Sequence, residues 1–279
     1  ADSARFGAPE AEGDEANHIA LMGQASAWIQ DGDAPLEVRG PALDIRQGVA
    51  GRQLAAGHGA VLHFEEVTAA ASALFWDEER GRVDLDGDPV LWNGQDQLSG
   101  DSVRLFLVDG RPERLEVRGH AFVSSPASDG LLNQLAGRDL DGLFERGRLT
   151  TLDLVGNGRT LYFADPDSQK VAQTALDSLP TPLPQANRAA CTEIRMRLDS
   201  AGLASIVLLA SPVGQFADLA ALAAVPLDGA LDAAHLPGFQ SRLRPDTLTP
   251  LPTSGHPAPF LQVTPWVLPP DSLLPERED

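Results

Sequence analysis

Glycine recurs along this chain at the head of short apolar runs, and that recurrence constrains the fold more than any other feature. Gly23 precedes QASAWI, Gly57 precedes HGAVLHF, Gly87 precedes DPVLW, Gly119 precedes HAFV and Gly156 precedes NGRTLYF, at spacings of 34, 30, 32 and 37 residues. A second small-residue landmark sits inside each unit, at Gly40, Ala71, Gly100, Gly137 and Ala190. From each of these to the next head position (Gly57, Gly87, Gly119, Gly156 and then Ala210) is 17, 16, 19, 19 and 20 residues. A period of about 20–50 residues marks an array of supersecondary units stacked on one another. No single unit of this length buries an apolar face alone.

Within a unit the pattern is that of a strand, a tight turn and a strand. Val103, Leu105 and Leu107 alternate with Ser102, Arg104 and Phe106; Asp109-Gly110-Arg111-Pro112 makes a turn; Leu115 and Val117 then alternate with Arg114, Glu116 and Arg118. Period 2 on both sides of a glycine turn is a β-hairpin. The plan returns around Arg146-Gly147-Arg148 and around Asp199-Ser200-Ala201-Gly202. Aromatics make up only 5% of the chain, whereas Gly and Pro together number 26 + 22 = 48 of 279 residues, which favours many short elements over a helical bundle. The expected fold is all-β: an extended, open β-jelly roll, or solenoid-like stack of antiparallel hairpins, with a short C-terminal helix and a Pro-rich tail.

The expected boundaries follow from texture. Residues 1–17 are small and acidic and read as a flexible tail. The repeat domain runs over 18–210 and is interrupted by a Pro-rich insertion at about 165–188. Residues 211–236 are Ala/Leu-rich, with Phe216, Leu219, Ala220 and Ala223 near helical spacing; Pro226 and Pro237 keep that helix short. From 237 to 279 proline recurs every few residues and predicts extended chain.

Charge and cysteine exclude whole classes of function. With 21 basic and 40 acidic residues the net charge is −19, the opposite of a nucleic-acid or polybasic membrane footprint. Lys170 is the only lysine, a bias that high salt and GC-rich codons explain equally well. Cys191 is the only cysteine, so neither a disulfide within the chain nor a thiolate metal cage can form. No apolar run reaches the length of a membrane-spanning helix. The chain starts at Ala1 with no basic or apolar leader, which fits either an end left by signal cleavage or the boundary of a piece.

Three stretches resemble the OstA-like family, relatives of the periplasmic lipopolysaccharide-transport proteins of the LptA type and of the LptD N-terminal domain. They are PVLWNGQDQLSGDSVRLFLVDGRPERLEVRGHAFV (89–123), NQLAGRDLDGLFERGRLTTLDLVGNGRTLYF (133–163) and NRAACTEIRMRLDSAGLASI (187–206). The resemblance spans roughly residues 20–210 and lies in the ordered hairpins, not in a catalytic motif. It implies a V-shaped jelly roll whose apolar interior shelters lipid acyl chains. It also implies a periplasmic or outer-membrane-associated location after export, and end strands that pair with other β-jelly-roll envelope proteins. The partners so implied are lipid or lipopolysaccharide, outer-membrane complex components and no nucleic acid, with no cofactor and no enzymatic activity.

Parity adds candidate positions to that picture. Leu62, Phe64, Val103, Leu105, Leu107, Leu115 and Val117 fall on the inner face, where they line a lipid groove or pack against one another. An anionic headgroup needs local arginines against the global charge, and Arg111, Arg114 and Arg118 are the candidates. The other reading is a module that keeps the fold without cargo and scaffolds an envelope complex through its edges.

Other constellations are weaker. Gly100-Asp101-Ser102-Val103 and Asp232-Ala-Ala-His235 look like the nucleophile and base blocks of a GDSL-type hydrolase, with Gly156-Asn157 between them. That chemistry needs a strand–turn–helix around Ser102, and the sequence instead continues as a strand. Asp84, Asp86 and Asp88 look like a calcium loop but lack its glycine and closing acid at the required positions. His58 and His63 are five apart, and the other histidines have no ligand spacing, so no metal site is expected. Neither Gly-x-Gly, at 57–59 or 156–158, is followed by a helix pattern, which argues against a phosphate loop. Cys191 falls on a strand and is read as a small buried residue.

Overall fold

A computed structural model describes residues 3–6, 17–31, 34–48, 51–64, 67–127, 131–163, 185–199 and 202–218, together with positions 236, 242, 244 and 245. The chain divides into two compact units, Ala1–Thr247 and Leu248–Asp279, and all the described residues belong to the first.

Among the described residues the core is a meander of eleven bent strands, each hydrogen-bonded to its neighbours in chain order. Four are continuous: β2 (Asn17–Asp31), β3 (Ala34–Gly48), β4 (Gly51–Phe64) and β5 (Val67–Asp77). The next four are each broken at the bend into two strands: β6 (Arg82–Asp86) with β7 (Val90–Asn93), β8 (Asp96–Ser99) with β9 (Ser102–Val108), β10 (Arg111–Arg118) with β11 (Phe122–Pro126), and β12 (Leu132–Ala136) with β13 (Asp139–Glu145). Continuous β14 (Arg148–Phe163) and β15 (Gln185–Asp199) follow, and β16 (Gly202–Leu209) with β17 (Val213–Asp218) forms the last. One half of every bent strand belongs to sheet I and the other half to sheet II. The bends align in a corner row along the stack.

The repeat landmarks are these bends. Gly87, Gly119 and Gly156 stand where the chain passes from sheet I to sheet II; Gly100, Gly137 and Ala190 stand where it returns. At the corner, Ser72 donates its N–H to the Gly87 carbonyl at 3.1 Å, Asp101 to Gly119 at 2.9 Å, Arg138 to Gly156 at 2.8 Å and Thr192 to Ala210 at 3.2 Å. The backbone groups freed by bending are therefore satisfied by the neighbouring bend. Glycine is needed at Gly87 on two counts. Its φ is +76°, and a Cβ there would lie 2.6 Å from the Ser72 Cβ.

Alternation does the rest. In sheet I the row Leu43, Ala56, Leu74, Leu85, Val103, Val117, Leu140, Leu154, Ile194 pairs strand by strand and faces inward, and every member is buried. The adjacent outward row carries Asp44, Asp84, Arg104, Glu116, Asp141, Asp153 and Arg195; opposite charges stand side by side at Asp84–Arg104–Glu116 and at Asp153–Arg195, while Arg118 from the next row bridges the neighbouring acids Glu116 and Asp141. The inner rows of both sheets merge into one apolar cluster.

Several expectations are met with a difference. The all-β jelly-roll class holds. The helix expected within 211–236 does not begin where predicted: Val213–Asp218 is strand β17, antiparallel to β15, with Phe216 60% exposed. The open edge of β15 supplies backbone partners there, and Ala/Leu spacing over six residues does not separate helix from strand. Residues 219–235 lie outside the described residues. Part of the tail expected at 1–17 is β1 (Ser3–Phe6), which pairs in parallel with Ser26–Ile29 of β2. The insertion expected at 165–188 lies outside the described residues except for its last four positions, which already belong to β15.

Candidate functional site: a slot between the sheets

All seven inner-face candidates are buried in the main cluster. Val103 pairs with Val117, and Leu105 with Leu115, across the β9–β10 hairpin. Leu62 and Phe64 lie further toward the N-terminal end on β4. Side chains from the two sheets fill this part of the interior.

The interior opens further along the stack. A cavity of about 20 Å³ lies between Leu149, Leu152, Met196, Leu198 and Ile206 of sheet I and Leu91, Leu98, Val123, Leu135 and Thr160 of sheet II. That is room for about one water molecule. Its cause is visible in the register. Across sheet II the inward row runs Leu91, Leu98, Val123, Leu135 and then falls in size to Thr160, Ala189 and Gly214. Small residues on one wall leave the leucines opposite without a partner.

The cavity has a polar end. Asn93, Asp96, Ser125, Asn133 and Tyr162 line it near the hairpin tips of sheet II, at inward positions that are apolar elsewhere, as at Phe64 and Val67. Burial raises the Asp96 carboxyl above its ordinary range, and a hydrogen bond from Ser125 opposes that shift only in part. Asn133 Oδ1 accepts the Phe163 N–H at 2.9 Å. Deeper in, the Thr160 hydroxyl is buried and makes no hydrogen bond among the described residues. The site is a narrow apolar slot with a polar mouth and one unspent hydroxyl on its wall.

None of the seven predicted lining residues borders this slot; it sits beyond them in the stack. Parity finds inward positions but not the place where the facing rows fail to fill. A readable signal was the run of polar residues at inward parity, Ser125 opposite Asn133 and Asn93 opposite Asp96.

The three headgroup arginines do not face this slot. Arg114 and Arg118 project from the outer face of sheet I. Arg114 is ion-paired with Glu116 and lies 3.8 Å above the Phe106 ring. Arg118 meets Asp141 at 2.9 Å and Glu116 at 3.4 Å. Arg111 stands exposed at the start of β10, beside the Asp109-Gly110 turn. Leu115 and Val117 point inward, so their strand neighbours Arg114 and Arg118 must point outward.

The remaining motifs resolve into structure. Ser102 opens β9 directly after the corner, with no nucleophile elbow, and Asp232 and His235 lie outside the described residues. Asp84 is engaged by Arg82 at 2.8 Å and Arg104 at 2.6 Å, which leaves its carboxylate committed. His58 and His63 are separated by a bulge between Gly57 and Ala60, so simple alternation does not apply to them. Among the described residues no group of three His, Cys, Asp or Glu side chains converges as metal ligands would. Cys191 is half-buried on β15, and burial pushes its thiol pKa up.

The fold and the slot together define a two-sheet β-module with an apolar interior and, among the described residues, end-strand edges left unpaired at residues 17–22, at β16 and at β17. The sequence matches no known family and no curated protein. Among solved structures it is similar to LptH, the LptA-homologous periplasmic component of the lipopolysaccharide transport device of Pseudomonas aeruginosa. The identity is 15%, covering 54% of this chain and 93% of that one at a TM-score of 0.38. A likeness of that size adds nothing to the case made by the strands themselves.

Proposed function

We propose that the chain is a non-enzymatic lipid-binding module of the cell envelope, exported to the periplasm or the outer membrane, which shelters acyl chains of a lipopolysaccharide-like amphiphile between its sheets. The slot is the observation that supports this reading most. It is apolar within and polar at its mouth, and its wall carries an unpartnered hydroxyl suited to a carbonyl or hydroxyl on a bound chain. At about 20 Å³ it admits no chain until the sheets part. Parting them opens a path toward Leu105, Leu107 and Leu115, and each methylene taken out of water contributes about 0.8 kcal/mol. Leu62, Phe64, Val103 and Val117 extend the same apolar surface. No catalytic group or cofactor is required.

The test is native mass spectrometry of the purified chain with and without added palmitate, followed by lipid analysis of an organic extract. Stoichiometric lipid is expected, and Thr160→Leu, which fills the slot, is expected to abolish uptake while leaving the melting temperature within a few degrees. A chain that carries no lipid and takes none up when offered it sinks the proposal. The scaffold reading then takes its place, supported by the edges of β2 at residues 17–22, of β16 and of β17, which no other described strand pairs.

A further inference from the structure

On the far side of sheet II from the slot, a trench of about 660 Å³ runs beside the corner row. Its floor is the outward row Ser99, Phe122, Ala136 and Arg159, which pair in succession across β8, β11, β12 and β14. One wall is formed by the bends at Gly100, Gly119, Gly137 and Gly156 with their neighbours His120 and Arg138. Arg242 closes the other side. It is held there by its own N–H to Gln97 Oε1 at 3.0 Å and by Nη1 to the Asp88 carbonyl at 3.1 Å.

Arg159 is the informative residue. The chain has 40 acidic against 21 basic side chains, and its other half-buried arginines meet a carboxylate: Arg39 with Glu37, Arg82 and Arg104 with Asp84, Arg114 with Glu116. Among the described residues Arg159 alone of the half-buried arginines has a side chain that makes neither ion pair nor hydrogen bond. Leaving five donors partly desolvated and unspent opposes folding, and in so acidic a protein a carboxylate partner would be easy to supply. The trench does contain acids. Asp101 is bonded to His120 at 3.0 Å and Asp88 is exposed at the rim, while Arg138 is paired with Asp139 at 2.9 Å.

We infer that this trench is a second binding site, for a phosphate-bearing ligand, with Arg159 as the anchor and Arg138 and Arg242 flanking it. A guanidinium fork binds phosphate oxygens in pairs, and the volume suits a small ligand whose apolar part rests on Phe122 and Ala136. The phosphate belongs either to a free small molecule or to a lipid headgroup. The site faces away from the slot, so it stands or falls independently of the lipid reading.

The experiment is calorimetric titration of the full chain with pyrophosphate, beside co-sedimentation with phosphatidic acid vesicles and with phosphatidylcholine vesicles. Arg159→Gln is expected to weaken the binding seen by about tenfold or more, which is about 1.4 kcal/mol. Arg138→Gln, at the exposed rim, is expected to weaken it a few-fold and serves if Arg159→Gln does not fold. Arg197→Gln, exposed on sheet I, is expected to leave binding unchanged. Pyrophosphate binding without vesicle binding identifies a free ligand; selective binding to phosphatidic acid identifies a headgroup. Binding of neither probe, or binding indifferent to both Arg159→Gln and Arg138→Gln, overturns the inference.

Discussion

At the scale of single residues, the corner row places the strictest demands on the sequence. Gly87 combines a left-handed φ with a close approach to Ser72, whose N–H bonds its carbonyl. Gly87→Ala must strain φ and displace the Ser72 side chain together. The expected cost is about 1–3 kcal/mol of stability, measured as a shift in the urea midpoint with the slope unchanged; a shift near zero would mean that the bend relaxes freely. Gly119, with φ +71°, lies under the Asp101 side chain in the same way. These positions were legible as a period because the geometric need recurs once per repeat. Thr160 was not legible. Nothing about a Thr in a β-rich run shows that its hydroxyl will face a gap.

At the scale of elements, hairpin tips far from the corner need their own fastening. Arg52, near the start of β4, reaches Glu78 just after β5: Glu78 Oε2 accepts the Arg52 backbone N–H at 2.8 Å and Nε–H at 2.9 Å, and Oε1 accepts Nη2–H. The same guanidinium lies 5.7 Å from the centroid of the buried Trp76 ring. The side-chain hydrogen bond from Arg52 is the main cause holding the Glu78 carboxyl below its ordinary value of 4.5. For an acid with a depressed pKa in the folded state, the unfolded chain takes up its proton first as pH falls. The stabilisation is therefore complete above about pH 4.5 and is lost as pH drops from there through the lower folded value. Glu78→Gln is expected to cost about 1–3 kcal/mol at pH 7 and to reduce the loss of stability on acidification. Equal acid sensitivity in the two proteins would remove Glu78 from this role.

The hairpins show where element-level reading stops. The β9–β10 turn at Asp109-Gly110 and the β15–β16 hairpin fall where period 2 and turn chemistry put them. β17 did not, because the edge of β15 decides the conformation of Val213–Asp218 through hydrogen bonds that the segment does not itself contain. β1 is a similar case: four residues in a Gly/Pro-punctuated stretch become a strand by pairing with β2.

At the scale of the whole first unit, a stack has two ends. Residues 17–22 of β2 form one edge of sheet I, and β16 forms the other; β17 closes sheet II. These edges expose apolar side chains: Ile19 and Met22 at one end, Val207, Val213 and Phe216 at the other. Unpaired edges with apolar side chains favour strand addition by another chain. Val207→Lys combined with Phe216→Lys is expected to reduce concentration-dependent association, read by sedimentation velocity, without lowering the melting temperature. Association that persists unchanged would place the contact elsewhere.

The sequence by itself determined the repeat, the bends and the two-faced rows, because each depends on properties that recur locally: a glycine where φ is positive, an apolar side chain at every second position. It also determined that the interior would be greasy and the outer face of sheet I charged. Only the tertiary structure decided where that interior is filled and where it is not. Leu149, Leu152 and Met196 face Thr160, and the mismatch exists only once two sheets from different parts of the chain are laid together. It likewise decided that Arg114 and Arg118 find carboxylates on their own face while Arg159 finds none among the described residues. Whether a charge is partnered is a property of the neighbours that the fold supplies, and no local pattern carries that information.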